Sequence, residues 1–487
     1  MKRSLTALSI GLVWVVSGLS IQAQDRPNFL NLVTVGDSLS AGFISGVLRE
    51  EAQINAWPAL ISRQVGTFHF LPLMPAPGVG QEITLVDGNL VIGPLTGGTT
   101  SRGFPLIVPQ NLAIPGQDVA EALTSRPDFT DAGKPFENLI LGVPVTAIFG
   151  QAPVSQIELA VGLQPSFTLF WLGSNDVLGV ATSGATPTPF PVFQVAYQTA
   201  VGALLTLTNT KLIVATVPDV TVIPFITPAE EVAAVVGAPL GLIGPALGIG
   251  AGDFVRPGGA ALVRPILTGQ VAGPIPESQI LRAATVAETR VLIATMNGFI
   301  MAFAAQAGFP VVDTNAILSD VDANGLPLSN GQVLTTDLLG GIFSLDGVHP
   351  TATGQGLIAN SFIQRINQFW GLQISEVDLN VIAATDPLVF PAMAPETRFR
   401  YLRNAAPILT HVAQSVFRTA DDLPDTRFFD PGQDPGLEEE ISSQSVEEYL
   451  LNSLRRIQVE PGPMQVGVER RRVPSERDQV SPRLRRP

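Results

Sequence analysis

Short apolar runs recur along the first two thirds of the chain, at residues 29–35, 168–172, 212–216 and 310–312. Apolar runs of this length, without alternation of polar residues, are typical of strands that are buried on both faces of a sheet. The first of them is closed by Gly36, and a serine follows two residues later. The pattern therefore predicts a buried sheet with Ser38 at the end of its first strand.

Helical patterns separate these runs, at residues 196–207, 278–306 and 353–370. The last of them places Leu357, Phe362 and Ile366 on one stripe, as expected for a helix that covers a core. Short strands alternating with helices predict an α/β fold with a mostly parallel sheet covered on both sides. Ligands bind at the carboxyl ends of the strands in such sheets, which is where Ser38 lies.

Two segments, 67–110 and 224–276, interrupt this alternation. The first contains two short β runs joined by Asp87-Gly88, which predicts a hairpin. The second is rich in Ala, Val, Gly, Leu and Pro and carries little charge. We interpret both as insertions over the site rather than as additional sheet. For the second, a lid, a wall for an acyl chain and a packing cap are all consistent with the composition.

The chain begins with the features of an export signal. Lys2 and Arg3 precede an apolar stretch at residues 5–21, and a small residue follows at Ala23. This predicts a signal peptide at residues 1–24 and an exported protein, periplasmic or secreted. The alternative is an uncleaved membrane anchor, because the run approaches spanning length.

The character of the chain changes again after residue 373. Residues 374–468 are predicted to form a partly helical C-terminal extension, with helices near 397–420 and 437–457. Residues 469–487 form a basic tail with seven arginines against three acidic residues. Such a tail is typically disordered, and a surface-binding role for its arginines is the alternative.

The composition excludes several classes of partner and of catalytic site. Among 487 residues the 28 Lys and Arg face 42 Asp and Glu, a net charge of −14 that disfavours nucleic acid as a partner. The absence of cysteine excludes a thiol nucleophile, disulfides, Cys-based zinc sites and a lipid-modified N-terminal cysteine. With three histidines in the chain, a multi-histidine metal centre is disfavoured. We expect neither a metal nor an organic cofactor.

Candidate catalytic residues lie in separate segments. Ser38 needs a base to act as a nucleophile, and Asp346 lies three residues before His349 on one predicted loop. A carboxylate beside an imidazole fixes its tautomer and leaves the other ring nitrogen free to take a proton. The side-chain amide of Asn175 follows the second predicted strand, and the backbone N–H of Gly116 could approach the same carbonyl oxygen. Each of these residues could equally serve a turn or a cap.

Taken together, these segments resemble a known family. Gly36-Asp37-Ser38-Leu39, Gly116, Gly173-x-Asn175-Asp176 and Asp346-x-x-His349-Pro350 resemble, in order, the four sequence blocks of the GDSL, or SGNH, hydrolases. The resemblance covers about residues 27–371 and implies an SGNH hydrolase domain at residues 25–373 with a flavodoxin-like α/β/α sandwich. It also implies Ser38 as nucleophile, His349 as base and Asp346 as the orienting acid. The oxyanion hole would consist of the Ser38 and Gly116 N–H groups and the Asn175 amide.

The implied activity is hydrolysis of carboxylic esters, from acetyl groups to lipid acyl chains. The low-charge segments 68–77 and 224–276 predict a wall for an apolar acyl chain, which favours lipid-type or simple acyl esters. A carbohydrate O-acetyl esterase, an acyltransferase using the same residues and a catalytically idle surface-binding protein are the alternatives. The expected partner is a small-molecule or lipid ester, with peripheral contact to a membrane left open, as is the oligomeric state.

Overall fold

The computed structural model describes residues 26–87, 89–97 and 102–390. The predicted signal peptide, the helices predicted near 397–420 and 437–457, and the basic tail lie outside the described residues. The domain boundaries proposed from the sequence therefore stay predictions.

The strands within the described residues are short, and three of them reach five residues. In chain order they are β1 (Leu32–Gly36), β2 (Val47–Leu48), β3 (Val79–Gly80), β4 (Ile83–Val86), β5 (Asn89–Ile92), β6 (Phe167–Trp171), β7 (Lys211–Ala215), β8 (Thr227–Pro228), β9 (Phe254–Val255), β10 (Ile280–Leu281), β11 (Val311–Val312), β12 (Leu326–Pro327) and β13 (Val333–Leu334).

The predicted parallel sheet is confirmed. Its strands run in the order β1-β6-β7-β11, and every neighbouring pair is parallel. Leu32 pairs with Phe167, and Phe167 in turn pairs with Lys211. All residues of β1 and β6 are buried, as expected for strands covered on both faces.

A further segment extends this sheet beyond β1, at residues 110–114. The Thr34 N–H donates to the Gln110 carbonyl at 2.8 Å, and the N–H groups of Leu112 and Ile114 donate to the Thr34 and Gly36 carbonyls at 2.9 and 3.0 Å. Residues 110–114 thus lie on one side of β1, while β6, β7 and β11 lie on the other. This is the flavodoxin-like arrangement, whose ligand crevice lies beside the carboxyl end of the first strand.

Helices cover the sheet on both faces. In chain order they are α1 (Ser38–Ala41), α2 (Glu50–Gln53), α3 (Trp57–Val65), α4 (Val119–Thr124), α5 (Pro135–Ile140), α6 (Gln156–Gly162), α7 (Asn175–Thr182), α8 (Phe190–Leu207), α9 (Ala229–Val236), α10 (Leu240–Leu247), α11 (Pro257–Leu267), α12 (Ala283–Ala307), α13 (Thr314–Asn324), α14 (Ala352–Trp370) and α15 (Leu379–Thr385), with a 3₁₀ turn at Glu277–Gln279.

Two hydrophobic cores separate the layers, because successive side chains of a strand point to opposite faces. Leu169 and Ile213 face a core that is completed by α3 and α14. Phe170 and Val214 face the larger core, to which α4, α6, α8 and α12 contribute. The predicted α/β/α sandwich is thereby confirmed.

Two predicted helices begin elsewhere than expected. The helix predicted at 196–207 starts at Phe190, because Pro191 occupies a position in its first turn where proline is tolerated. The helix predicted at 278–306 starts only at Ala283, because Ile280 and Leu281 form β10 and pair with β9.

The insertions are only partly as predicted. The hairpin at residues 83–92 is confirmed, with β4 and β5 antiparallel and Val86 paired with Asn89. The expectation that residues 224–276 add no sheet is wrong, because β8, β9 and β10 form a separate antiparallel sheet. This segment also has a hydrophobic core of its own, built mainly by α9, α10 and α11.

Within the described residues, α8 and α12 are long and apolar enough to cross a membrane by length and composition. The pair α9 and α10, bent by 109°, is long and apolar enough only when both helices are taken as one span. In this fold α8 and α12 pack against each other, with the ring of Phe299 6.0 Å from those of Phe190 and Tyr197.

The beginning of the predicted C-terminal extension packs on α14. Asp386 accepts hydrogen bonds from the backbone N–H and the hydroxyl of Thr353, both at 2.8 Å. A carboxylate therefore lies at the N-terminus of α14, where the helix dipole favours negative charge.

Candidate active site

Ser38 is the first residue of α1, directly after the turn that ends β1. The side chain of Asp37 caps this helix by accepting a hydrogen bond from the Leu39 N–H at 2.9 Å. Position 36 has room only for glycine, because a Cβ there would lie 2.3 Å from the Ser40 Oγ. The turn holds Ser38 at the carboxyl end of the sheet, with 6% of its surface exposed.

Three buried amide side chains fix the backbone of this turn. Asn111 donates to the Ser40 carbonyl at 3.0 Å, Gln156 to the Gly36 carbonyl at 2.8 Å and Gln355 to the Leu39 carbonyl at 3.1 Å. They come from the edge segment, from α6 and from α14. The roles of Gln156 and Gln355 are not evident from the sequence, because neither residue lies in a motif.

Asp346 and His349 form the predicted acid–imidazole pair. The Nδ1 of His349 lies 2.9 Å from the Asp346 Oδ2, and both side chains are buried. Asp346 also accepts hydrogen bonds from the backbone N–H groups of Gly46, Val348 and His349 at 2.9 to 3.0 Å. Burial alone would raise the pKa of Asp346, but the neighbouring His349 and these hydrogen bonds lower it below its usual value. The carboxylate is therefore held ionised against the ring.

The loop that carries His349 is fixed on both sides. The Phe43 ring packs 4.8 Å from the imidazole. Thr351 caps α14 by accepting a hydrogen bond from the Gly354 N–H at 3.1 Å, so Pro350 precedes the helix. The expectation that Pro350 lies in the first helical turn is wrong, because this residue instead bridges to Phe343.

The two predicted oxyanion segments meet at one backbone carbonyl. Asn175 begins α7, and its side-chain amide donates to the Gln117 carbonyl at 3.0 Å. Gly116, the residue before Gln117, has a φ of +82°, which a residue with a side chain rarely adopts. Asn175 therefore has one amide proton engaged, and its position is fixed beside the Gly116 turn.

Ser38 and Asn175 line one cavity with a volume of about 90 Å³, together with Val348 and Pro350 on either side of His349. Its other walls are mostly apolar and come from the 218–223 loop, α13 and α14; they include Val220, Ile223, Ile317, Leu318, Leu357 and Ile358. The cavity-lining residues within the described ranges include Ser38 and Asn175 but not Gly116. The prediction that segments 68–77 and 224–276 form the acyl wall is wrong for this cavity, because no lining residue comes from either segment.

Buried carboxyl groups surround the nucleophile turn. Burial raises the pKa of Asp37 to about 7, although the Leu39 N–H, His349 and the Ser174 hydroxyl each favour the ionised form. Burial also raises the pKa of Asp176 well above its usual value, and the nearby charge of Asp118 adds to this effect.

We expect Asp37→Asn to stabilise the protein at pH 8 but not at pH 4. The folded pKa of about 7 exceeds the ordinary 3.8, so the unfolded chain loses its proton first as pH rises. The free energy of unfolding therefore falls between about pH 4 and 7, and the full cost, about 4 kcal/mol, is present above pH 7. Asparagine keeps the oxygen that caps α1 and has no such proton to lose.

Thermal unfolding of both proteins at the two pH values checks this prediction. Asp320→Asn, at an exposed position of α13, is the matched control. Its change in Tm relative to the wild type should be the same at pH 4 and at pH 8. A gain for Asp37→Asn that does not depend on pH would contradict the proposed cause.

In the described ranges, no group of three or more histidine and carboxylate side chains is arranged to hold a metal ion. The groups that the fold assembles here are a hydroxyl, an imidazole paired with a carboxylate, and an amide. Such a set suits acyl transfer.

Comparison with known proteins gives one family match. The model of the GDSL-like lipases and acylhydrolases matches residues 32–362, which is well over half of the chain. No curated protein matches the chain. Among solved structures, a mutant of an acetyl-xylooligosaccharide esterase from Geobacillus Stearmophilus is similar at 12% identity and a TM-score of 0.29, covering 72% of this chain and 100% of its own. So low a score supports no inference about the substrate.

Proposed function

The chain belongs to the family of GDSL-like lipases and acylhydrolases, and from that premise we propose that it is a serine esterase in which Ser38 attacks the acyl carbon. Membership of the family makes it a hydrolase acting on esters. The observation that carries the residue assignment is the hydrogen bond of 2.9 Å between Asp346 and His349, beside a cavity that Ser38 lines.

In the first step, the Nε2 of His349 takes the proton of the Ser38 hydroxyl as its oxygen attacks the ester carbonyl. Asp346 accepts a hydrogen bond from the Nδ1–H group and stabilises the imidazolium that forms. The tetrahedral intermediate collapses, the alcohol leaves with the proton from His349, and an acyl-enzyme remains on Ser38. Water then repeats the sequence and releases the carboxylic acid.

The negative oxygen of the intermediate needs hydrogen-bond donors that are already in place. We assign this role to the Ser38 and Gly116 N–H groups and to the Asn175 amide. The Asn175 amide donates to the Gln117 carbonyl at 3.0 Å. This contact supports the assignment, because it fixes the amide beside the turn at Gly116.

We assign the acyl group of the substrate to the apolar cavity of about 90 Å³. An apolar cavity of about 150 Å³ holds one benzene molecule, so this one suits a short acyl chain rather than a long lipid chain. Val220, Leu318 and Leu357 line it and would remove the chain from water.

We expect kcat/KM for p-nitrophenyl esters to rise with acyl length from acetate and then level off. Each methylene buried against these walls contributes about 0.8 kcal/mol, which corresponds to about fourfold in kcat/KM. The rise should end at about four to six carbons, where the cavity is filled. A series of initial rates from acetate to laurate measures this profile.

Leu357→Ala in α14 should move the maximum to a longer ester, because it enlarges the cavity. A wild-type optimum at acetate with no turnover beyond butyrate would contradict the assignment of the acyl group to this cavity. A rate that still climbs at laurate would contradict the size argument.

A further inference from the structure

The insertion at residues 224–276 lines a second cavity instead of the one beside Ser38. This cavity has a volume of about 180 Å³ and shares one wall, the loop at 218–224, with the first. Asp219 and Val220 face the cavity beside Ser38, Thr221 and Val222 face the second, and Ile223 borders both. The two cavities therefore lie on opposite sides of the same loop.

Polar groups in the second cavity include both donors and acceptors. Arg290 from α12 lines it, as do the carboxylates Glu231, Asp322 and Asp337. The Nε of Arg290 donates to the Asp219 carboxylate at 3.1 Å and to the Thr221 hydroxyl at 2.9 Å. This pair of contacts orients the guanidinium against the wall that the two cavities share.

Threonine hydroxyls add short polar groups to the walls. Thr336 is 7% exposed and donates to the Asp322 carboxylate at 2.6 Å. Thr227 is only 2% exposed and lines the cavity. Its hydroxyl adds a group to the wall that can both donate and accept a hydrogen bond.

The charges restrict that occupant. Three carboxylates repel an anion and are strong hydrogen-bond acceptors for hydroxyl groups, while Arg290 is already paired with Asp219. Donors and acceptors next to the apolar surface of Phe254 and Leu338 suit a neutral molecule with hydroxyl groups on a compact carbon frame. A cavity of about 150 Å³ accepts benzene, so 180 Å³ accepts one six-membered ring.

We propose that this second cavity binds one ring of a neutral sugar, with Thr227 and Asp322 among its hydrogen-bonding partners. The site is separate from the ester-cleaving groups and does not depend on the proposed function of Ser38. It gives the insertion at residues 224–276 a role in ligand binding.

Isothermal titration calorimetry with D-glucose and with D-xylose tests the proposal. The full chain carrying Ser38→Ala serves as the parent protein, so that failure of the esterase assignment leaves the binding result unaffected. We expect saturable binding of at least one sugar. Thr227→Val and Asp322→Asn should each weaken it by about tenfold, since each removes a hydrogen bond or a charge that strengthens one.

Glu288→Gln is the matched control, because Glu288 is exposed on α12 near Arg290 and lines neither cavity. It should leave sugar binding unchanged. Circular dichroism melting curves establish that each variant is folded. Absence of saturable binding for both sugars would overturn the proposal. So would unchanged affinity in both folded variants, or tighter binding of choline or inorganic phosphate than of either sugar.

Discussion

Ser38→Ala is expected to lower kcat for p-nitrophenyl butyrate by a factor on the order of 10⁴ to 10⁶. The variant loses the oxygen that forms the acyl-enzyme, and no neighbouring group can replace it in the same turn. The fold should survive, because Asn111, Gln156 and Gln355 bind backbone carbonyls of this turn and not the serine side chain.

Initial-rate kinetics and labelling with a fluorophosphonate probe measure the effect. Ser40→Ala is the matched control, since Ser40 lies in the same helix and its side chain is buried. The control should hydrolyse the ester and take up the label, whereas Ser38→Ala should do neither. Turnover of Ser38→Ala at the wild-type rate would remove this residue from the mechanism.

Asp346→Asn is expected to lower kcat by about 10⁴ while the protein stays folded. One oxygen of Asp346 accepts hydrogen bonds from the Ser344 hydroxyl and from the N–H groups of Val348 and His349, so the asparagine oxygen is expected to occupy that place. The amide NH₂ then faces His349 Nδ1 and donates to it, while the Gly46 N–H loses its acceptor. This selects the tautomer with a proton on Nε2, which cannot accept the proton of Ser38.

Asp386→Asn is the control for this prediction. Asp386 is also buried and binds the start of α14 through Thr353, but it has no contact with the imidazole. It should lower Tm without a comparable loss of kcat. A loss below about tenfold for Asp346→Asn would contradict the role assigned to the carboxylate.

The central sheet was predictable from the sequence because its signal is local. Residues 168–172 and 212–216 are continuous apolar runs, and the strands Phe167–Trp171 and Lys211–Ala215 begin only one residue earlier. A strand covered on both faces must be apolar at every position, which a sequence displays directly. The Asp346–His349 contact was equally accessible, because only three residues separate its partners.

The buried amides of the nucleophile turn had no such signal. The contacts of Asn111, Gln156 and Gln355 with this turn span 71, 120 and 316 residues. An amide becomes recognisable as a positioning group only when the carbonyl it binds is known. Nothing in the sequence around Gln156 and Gln355 indicates the carbonyls that they bind.

The residues that line the two cavities were also not predictable from the sequence. The apolar composition of residues 224–276 predicted contact with an acyl chain, but this segment forms its own core and lines the second cavity. Ile317 and Leu357, which do line the cavity beside Ser38, come from helices whose sequences indicate ordinary core packing. Hydrophobicity shows that a side chain leaves water and does not show which neighbour it meets.

The sequence by itself determined the class of the fold, the positions of the central strands along the chain and the acid–imidazole pair, because periodicity and short spacing are properties of neighbouring residues. Only the tertiary structure decided which helices enclose the cavity beside Ser38, which amides hold its turn and where the insertion contributes. These features depend on contacts between residues far apart in the chain, and such contacts exist only after the layers have packed.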